Sequence, residues 1–521
     1  MRLVDFLDES PAVRSGAAKF IDLDNEVSLS YRQMVNASVQ IAEVLRERGV
    51  KSQDVVATYA PNSVAAYCCI FAISRLGAVW LPLNVRNTFE ANQKQIAKSG
   101  AVKFFVDDTI LASIPQIVDT YLEDKLLRFN GQQVLGVELS ALADDLVMPL
   151  TLDVKPEGEN VLLNLFATGG TTGDSKLAEW SSRSWETLTA IQGEVMPEPD
   201  IPGSYLVSAP MTHAAGVASF AAIRQGASVV VMDGMIPGRL LRVIQDYRVT
   251  HLFLPPTAIY MLLADPSIGD FDYSSLRYFW YAAAPMSVDK LKEAIAAFGP
   301  VMVQTYGQAE APMICTFLSA EDHVYALEND HPEILRSCGK VCPHVELAIL
   351  DDDWQSLPVG EEGEIAVKGN LLMKGYYQSP GATEEIRRDG WQRTGDIGFL
   401  DERGYLSIVD RKRDMIISGG FNVYPSEIEQ LIWGHPAIKD CAVIGVPDEK
   451  WGEQVTAVVE LKANVQAPDE QEIIQFCKSR LGSVKSPKQV YFWDELPRSP
   501  VGKVLKKEIR KVFWKDSGRN I

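Results

Sequence analysis

Cysteine, basic charge and long unbroken apolar runs are all in short supply in this 521-residue chain. Seven cysteines without a framework spacing exclude a disulfide-built scaffold and point to a reducing cytoplasm. Lysine and arginine number 50 against 69 acidic residues, a formal charge of −19. Such a chain repels phosphate backbones and anionic bilayers, so neither nucleic acid nor a membrane surface is expected as a general partner. The opening MRLVDFLDESPAV lacks an apolar signal core. The most apolar stretch, Val64–Leu83, is interrupted by Arg75, Gly77 and Pro82. It predicts a buried helix followed by a strand rather than an integral membrane segment. There is no HExxH and no GxxxxGK[ST], and Gly173-Asp-Ser-Lys-Leu177 misses GxSxG, which weakens a hydrolase reading. Cys338-x3-Cys342-x-His344 has no second pair at ligand spacing, so zinc is not expected.

What is present begins with Ala167-Thr-Gly-Gly-Thr-Thr-Gly-Asp-Ser-Lys176, directly after the apolar run Val161–Phe166. A strand ending in such a loop aims backbone N–H groups, hydroxyls and one ammonium at a single spot. A polyphosphate needs that combination of donors, close backbone approach and compact positive charge. A flexible surface loop is the plainer alternative.

Length and 46% apolar content suggest about three or four domains of ordinary size. Residues 1–155 alternate strands (Val55–Ala60, Ala78–Leu83, Val102–Val106) with helices (Tyr31–Arg48, Ser63–Arg75, Phe89–Lys98), and Ser30 with Gln33 forms a capping-box pattern. The alternation resumes from 160 to 340, with strands at Val161–Phe166, Tyr205–Ala209, Ser228–Val231, His251–Leu254, Leu276–Trp280 and Val301–Gln304. Repeated strand–helix units imply mainly parallel sheets flanked by helices, with ligands beyond the strands' carboxyl ends. The Gly/Thr loop, Pro210–Gly216, Tyr281–Pro285 and Tyr306–Glu310 all follow strands and are therefore expected on one edge. Residues 341–409 read as a small β subdomain, with strands at Val345–Leu350 and Gly363–Val367 between turns. After Asp410-Arg-Lys-Arg-Asp414 comes a compact α+β pattern, in which Pro425 opens a helix and Ser426 with Glu429 suggests a second capping box. The fold class expected is α/β, with a large domain over 1–409 built of two βα-layered subdomains plus the β subdomain. A small α+β domain follows over 410–521.

Further motifs occur in a fixed order: Tyr306-Gly-Gln-Ala-Glu310 after a strand, Arg393-Thr-Gly-Asp396 in an expected turn, Asp410-Arg411, Met415–Glu429, and Pro497-Arg-Ser-Pro-Val-Gly-Lys503. With the Gly/Thr loop, they resemble the adenylate-forming superfamily of acyl-CoA synthetases, adenylation domains and luciferases, over about Ser28 to Lys507. The resemblance implies two half-reactions. A carboxylate attacks the α-phosphate of ATP to give an acyl-adenylate and pyrophosphate, and a thiol then displaces AMP. The first step joins two anions, so charge neutralisation dominates its barrier.

By that resemblance, Thr168, Gly169, Gly170, Thr171, Thr172, Gly173 and Lys176 hold the β- and γ-phosphates. Glu310, with Thr171, ligates Mg²⁺, for which oxygen donors are suited. Tyr306, followed by Gly307, stacks on adenine beside the backbone wall Ala282, Ala283 and Ala284. Asp396 accepts both ribose hydroxyls, Arg411 adds a ribose contact, and Lys503 bridges the carboxylate and the α-phosphate. Arg413 takes the hinge position. Ser418, Gly419 and Gly420 border the tunnel for the pantetheine arm of coenzyme A, where glycines allow close approach. His213 acts as a gate, and with Gly216, Tyr281 and Ala284 borders the acyl pocket. Each residue also has a plainer reading. Asp396 suits a turn, Tyr306 or His213 the core, Glu310 a helix start, Lys503 a lysine-coated helix, and Ser418–Gly420 a simple β-turn. The chain departs from the family pattern at Gly169, Ser175 and Leu177, usually Ser, Pro and Gly. It departs again at Ala309, usually Thr, and at Ala282 and Ala283, usually glycines.

Amino-acid-activating relatives carry an Asp in the segment that here reads Pro210–Gly216, and none is present. The expected substrate is an apolar acid, whether fatty, alicyclic or aryl, with ATP, Mg²⁺ and coenzyme A. A stand-alone enzyme loading a carrier protein is the alternative, followed by a luciferase-like oxygenase and a non-catalytic nucleotide-binding module. A homodimer stays open.

Overall fold

The fold is taken from a computed structural model that describes residues 1–145, 158, 160–168, 175–197, 203–448, 450–463, 465–498 and 504–514. Gly169, Gly170, Thr171, Thr172, Gly173 and Lys503 lie outside these described residues. The chain forms two compact units, one of residues up to Leu347 together with Val367–Gln392, the other of Ala348–Ala366 and the chain from Arg393 on.

The first unit contains two large sheets. One has described strands in the order Leu177–Ser181, Leu162–Ala167, Val79–Leu83, Val55–Tyr59, Lys103–Asp107, Leu126–Phe129, Gln133–Val134 and Val137–Glu138. Its central strands are parallel and wholly apolar in pattern, as burial on both faces requires. The second runs Lys340–Val341, Thr316–Leu318, Met302–Tyr306, Tyr278–Tyr281, His251–Leu254, Ser204–Val207, Ser228–Val231, Lys19–Asp22 and Val27–Ser30. Its six inner strands, from Met302–Tyr306 to Lys19–Asp22, are parallel.

One expectation about sheet membership is corrected, and one hairpin was not foreseen. Leu162–Ala167, grouped by sequence with the 160–340 repeat, instead pairs with Val79–Leu83 in the first sheet and turns back antiparallel as Leu177–Ser181. The hairpin Lys19–Ser30 pairs with Ser228–Val231 at the far edge of the second sheet. The helix Val64–Arg75 is buried along its length and leads into the strand Val79–Leu83, as the broken apolar run implied. Among the described residues, no helix is long and apolar enough to cross a membrane.

Local signals act as expected at several helix ends. Ser30 caps Tyr31–Glu47 through the Gln33 N–H at 3.1 Å, and the Gln33 side chain accepts from Ser30 N at 2.8 Å. The second box is corrected. Ser426 lies inside Pro425–Trp433, its N–H donates to Asp410 at 2.8 Å, and its hydroxyl donates to Val409 O. Glu429 turns inward to Lys506 at 2.9 Å.

The chain from Val345 on forms two further sheets. Strands Val345–Leu350, Gly363–Gly369, Trp391–Leu400 and Leu406–Arg411 follow one another in the first. In the other, Phe421–Val423, Ile416–Ser418, Gly452–Leu461 and Ile438–Asp448 are neighbours, with Gln489–Trp493 parallel to Gly452–Leu461. Helices Pro425–Trp433 and Glu470–Lys485 cover one face through Ile428, Ile432, Ile473 and Cys477. Helix Lys506–Phe513 uses Ile509 in a smaller cluster with Ala442, Ile444 and Val458.

Candidate active site

In the second sheet, parallel pairing brings three of the expected loops to one edge. Strands Ser204–Val207, Tyr278–Tyr281 and Met302–Tyr306 run in one direction, and Tyr281 stands level with Gln304. The segments after them therefore leave the sheet on the same side. They carry His213, the wall Ala282–Ala284, and the run Tyr306–Glu310. Gly307 is compelled by packing, since a Cβ there would lie 2.4 Å from the Met313 carbonyl carbon. Ala283 holds a left-handed backbone, φ +75°, which an L-residue adopts at a cost.

The Gly/Thr loop comes from the first sheet, at the turn of the Leu162–Ala167 and Leu177–Ser181 hairpin. Its base is closed by Thr168 N donating to Lys176 O at 2.8 Å and Lys176 N donating to Thr168 Oγ1 at 3.3 Å. The segment Met373–Tyr377 then lies along the outer strand of that hairpin. Lys374 N donates to Glu179 O at 2.7 Å, and Tyr377 N donates to Leu177 O at 2.8 Å.

The same segment takes hold of the Glu310 loop. Met373 N donates to Glu310 O at 3.1 Å, and Gln392 Nε2 donates to that oxygen at 2.8 Å. Trp180 Nε1 captures Ala309 O at 2.7 Å. The Tyr376 hydroxyl donates to Glu310 Oε1 at 2.8 Å, while Lys176 Nζ sits 4.6 Å from the centroid of the Tyr376 ring. Thus a carboxylate and an ammonium meet at one aromatic side chain, between the two sheets.

Other expected residues fall as follows. His213 precedes the helix Ala214–Gln225 and is exposed rather than in the core, with Nδ1 3.0 Å from Thr212 Oγ1. At Gly216 a Cβ would meet Met211 O at 1.8 Å, so glycine there meets a packing demand. Tyr281 is completely buried, its hydroxyl 3.1 Å from Gln304 Oε1 and 2.9 Å from His323 Nε2. Burial drives the His323 pKa down to about 4, so this imidazole is neutral at pH 7.

In the second unit, Asp396 lies within the strand Trp391–Leu400, not in a turn. The antiparallel register sets it opposite Arg411, with Nε 3.8 Å from Asp396 Oδ1. Glu364 steadies this strand. Its carboxylate accepts from Gly395 N at 3.2 Å and from Lys412 Nζ at 3.1 Å. Arg413 follows in the short turn Lys412–Asp414. Ser418 and Phe421 pair across a two-residue hairpin, with Gly419 at φ +59° and Gly420 at φ +84°. That is the geometry in which two glycines suit a tight hairpin. Lys503 lies in 499–503, outside the described residues, but both flanks are tied. Arg498 pairs with Val504 and binds Asp440 at 2.7 Å and Glu460 at 2.9 Å. Beyond the loop, Lys506 binds the buried Glu429 and Arg510 binds Asp414 at 3.1 Å.

The AMP-binding enzyme pattern matches residues 7–377, and the AMP-binding enzyme C-terminal domain matches 427–503. The chain belongs to the AMP-binding enzyme family. Within it, the relatives place the chain in the acyl-CoA synthetase branch of the adenylate-forming superfamily. The medium/long-chain-fatty-acid–CoA ligase FadD8 of Mycobacterium tuberculosis is 40% identical over 74% of this chain and 67% of its own. A feruloyl-CoA synthase of an Amycolatopsis species is 34% identical over 93% and 94%. Among solved structures, the amide bond synthetase McbA of Marinactinospora thermotolerans superimposes with a TM-score of 0.86 at 26% identity, covering 98% of this chain and 100% of McbA. ATP-bound MatB of Rhodopseudomonas palustris gives 0.85 at 28% identity, covering 100% of both chains. Use of ATP is supported by the family and by the ATP-bound MatB fold.

For this AMP-binding enzyme, sequence reasoning missed Tyr376, Trp180, Gln392 and Glu364. Lys374-Gly-Tyr-Tyr377 carries a faint signal, a glycine before two aromatics. The backbone capture of Ala309 and Glu310 leaves no trace in residue type.

Proposed function

We propose that the protein is an ATP-dependent acid–CoA ligase for an apolar carboxylic acid. It forms an acyl-adenylate with release of pyrophosphate, then transfers the acyl group to coenzyme A with release of AMP. The observation that carries the reading is the junction of Lys176, Tyr376 and Glu310.

The donor set fits Mg²⁺. Among the described residues, no group of three His, Cys, Asp or Glu side chains forms a protein cage. Mg²⁺ commonly takes one or two carboxylates and completes its octahedron with phosphate oxygens and water. Glu310, with Thr171, would hold it, and the ion supplies charge neutralisation on the polyphosphate. Lys176 and the loop from Thr168 bind the β- and γ-phosphates, with Gly169, Gly170, Thr172 and Gly173 presenting N–H groups. Tyr306 stacks on adenine, Asp396 and Arg411 hold the ribose, and Lys503 neutralises the attacking carboxylate and the α-phosphate together. Ser418, Gly419 and Gly420 admit the pantetheine arm, and Arg413 is the hinge of a mobile domain over 410–521. His213, Gly216, Tyr281 and Ala284 border the acyl group. A reducing cytoplasm is the proposed compartment, in keeping with seven buried free thiols.

The absence of a carboxylate from Pro210–Gly216 supports an acid without an α-amino group, since a substrate ammonium would be left unpaired there. The test is a panel of fatty, alicyclic, aryl and amino acids with ATP, Mg²⁺ and coenzyme A, read as AMP release. Acid- and CoA-dependent AMP release from an apolar acid is expected. Formation of acyl-adenylate that carrier protein or an amine discharges, but coenzyme A does not, would replace the proposed acceptor. No release with any acid would overturn the reading.

A further inference from the structure

Tyr376 touches two of the groups assigned above while belonging to none of the motifs. Its backbone is fixed from several directions. It bridges to Ala178, its N–H donates to Thr383 Oγ1 at 2.9 Å, and its carbonyl accepts from Ser379 N at 3.0 Å. The side chain is thereby held between the phosphate-loop hairpin and the Glu310 loop. One edge donates a hydrogen bond to Glu310 Oε1, and one face lies under the Lys176 ammonium.

The two contacts act on different chemistry. A metal-binding carboxylate has two oxygens and several lone pairs, and its orientation is set by whatever bonds the oxygen not committed to the ion. The phenol O–H takes this role at Glu310 Oε1. The ring face instead attracts the Lys176 ammonium and restricts where a long flexible side chain can place its charge.

We infer that Tyr376 is a positioning residue that sets Glu310 for Mg²⁺ through its hydroxyl and Lys176 for the nucleotide phosphates through its ring. The inference rests on the magnesium and ATP roles proposed for those two residues. It deepens them by assigning both to one side chain whose two functions can be separated.

Tyr376→Phe removes the donor and keeps the ring, whereas Tyr376→Leu removes both. Binding of a non-hydrolysable ATP analogue to the full chain is measured by titration calorimetry, with and without Mg²⁺, alongside the thermal midpoint of each variant. Tyr376→Phe should weaken Mg²⁺-dependent binding about 10-fold or more and leave metal-free binding unchanged. Tyr376→Leu should in addition weaken metal-free binding by about two- to fivefold. A Tyr376→Phe variant equal to wild type in Mg²⁺ overturns the inference. So does equal weakening with and without the ion, which would mark a purely structural role. If the wild type itself binds the analogue no better with Mg²⁺, the underlying reading of Glu310 fails instead, and the two failures are told apart by that control.

Discussion

Ala283 shows what a single residue can disclose. Its φ of +75° belongs to the left-handed region, where a Cβ crowds the following carbonyl. Relief of that crowding by glycine is worth about 1–2 kcal/mol, against about 0.4–1 kcal/mol of extra unfolded-state entropy. Ala283→Gly should therefore leave stability unchanged or raise it by up to about 1.6 kcal/mol. Ala283→Val should lower it by about 1–3 kcal/mol, because a β-branched side chain suits that backbone least. Urea denaturation of the two variants checks the order, and a more stable valine variant would refute it. The sequence comparison marked Ala282 and Ala283 as stand-ins for glycines, and the backbone angle at Ala283 supplies the reason glycine is usual there. Gly307 has a different cause that the sequence did not show: the close approach of Met313 admits no side chain. Tyr376 was not legible. Its importance comes from partners at Lys176 and Glu310, separated from it by 200 and 66 positions, and no local pattern encodes such a meeting.

At the scale of elements, capping signals were informative only where the cap had no tertiary rival. Ser30 and Gln33 close their own helix. Ser426 and Glu429 have the same spacing, yet Asp410 takes the Ser426 N–H and Lys506 takes Glu429. A buried charge pair overrode a box worth about 1 kcal/mol. Helix Ala320–Glu328 is the converse. It carries a true capping box, Ser319 with Asp322, and presses His323 against Tyr281. His323 has a folded pKa of about 4 against an ordinary 6.5, so below pH 6.5 the unfolded chain takes up a proton that the folded chain refuses. Its contribution is fully present above pH 6.5 and is lost as pH falls toward 4, up to about 3 kcal/mol in all. The stability difference between wild type and His323→Gln should accordingly be larger at pH 7 than at pH 4.5, by urea denaturation at each pH. A difference independent of pH would show that the imidazole is not held neutral.

At the scale of the molecule, the strands named from the sequence lie within about two residues of those observed, and sheet membership was less legible. Every parallel strand of the second sheet between Ser204 and Tyr306 carried its own apolar run and was found. The exchange at the edges was hidden, because Lys19–Asp22 and Leu162–Ala167 choose partners far along the chain. That exchange matters to function. Placement of Leu162–Ala167 in the first sheet, paired with Leu177–Ser181, puts Thr168 and Lys176 on a different sheet from Tyr306 and Glu310. The flanks of 499–503, Arg498 and Lys506, are tied to Asp440, Glu460 and Glu429. The role proposed for Lys503 belongs to only one of the two half-reactions. Lys503→Ala should slow acyl-adenylate formation by about 10²–10³-fold, the scale of losing one preorganised transition-state donor. Thioester formation from supplied acyl-adenylate and coenzyme A should be nearly unchanged, since Lys503 is assigned only to the joining of the carboxylate and the α-phosphate. Single-turnover assays of the two steps decide the matter. Comparable losses in both would mean that Lys503 supports the fold of its unit or serves both steps, and the division of labour between units would have to be abandoned.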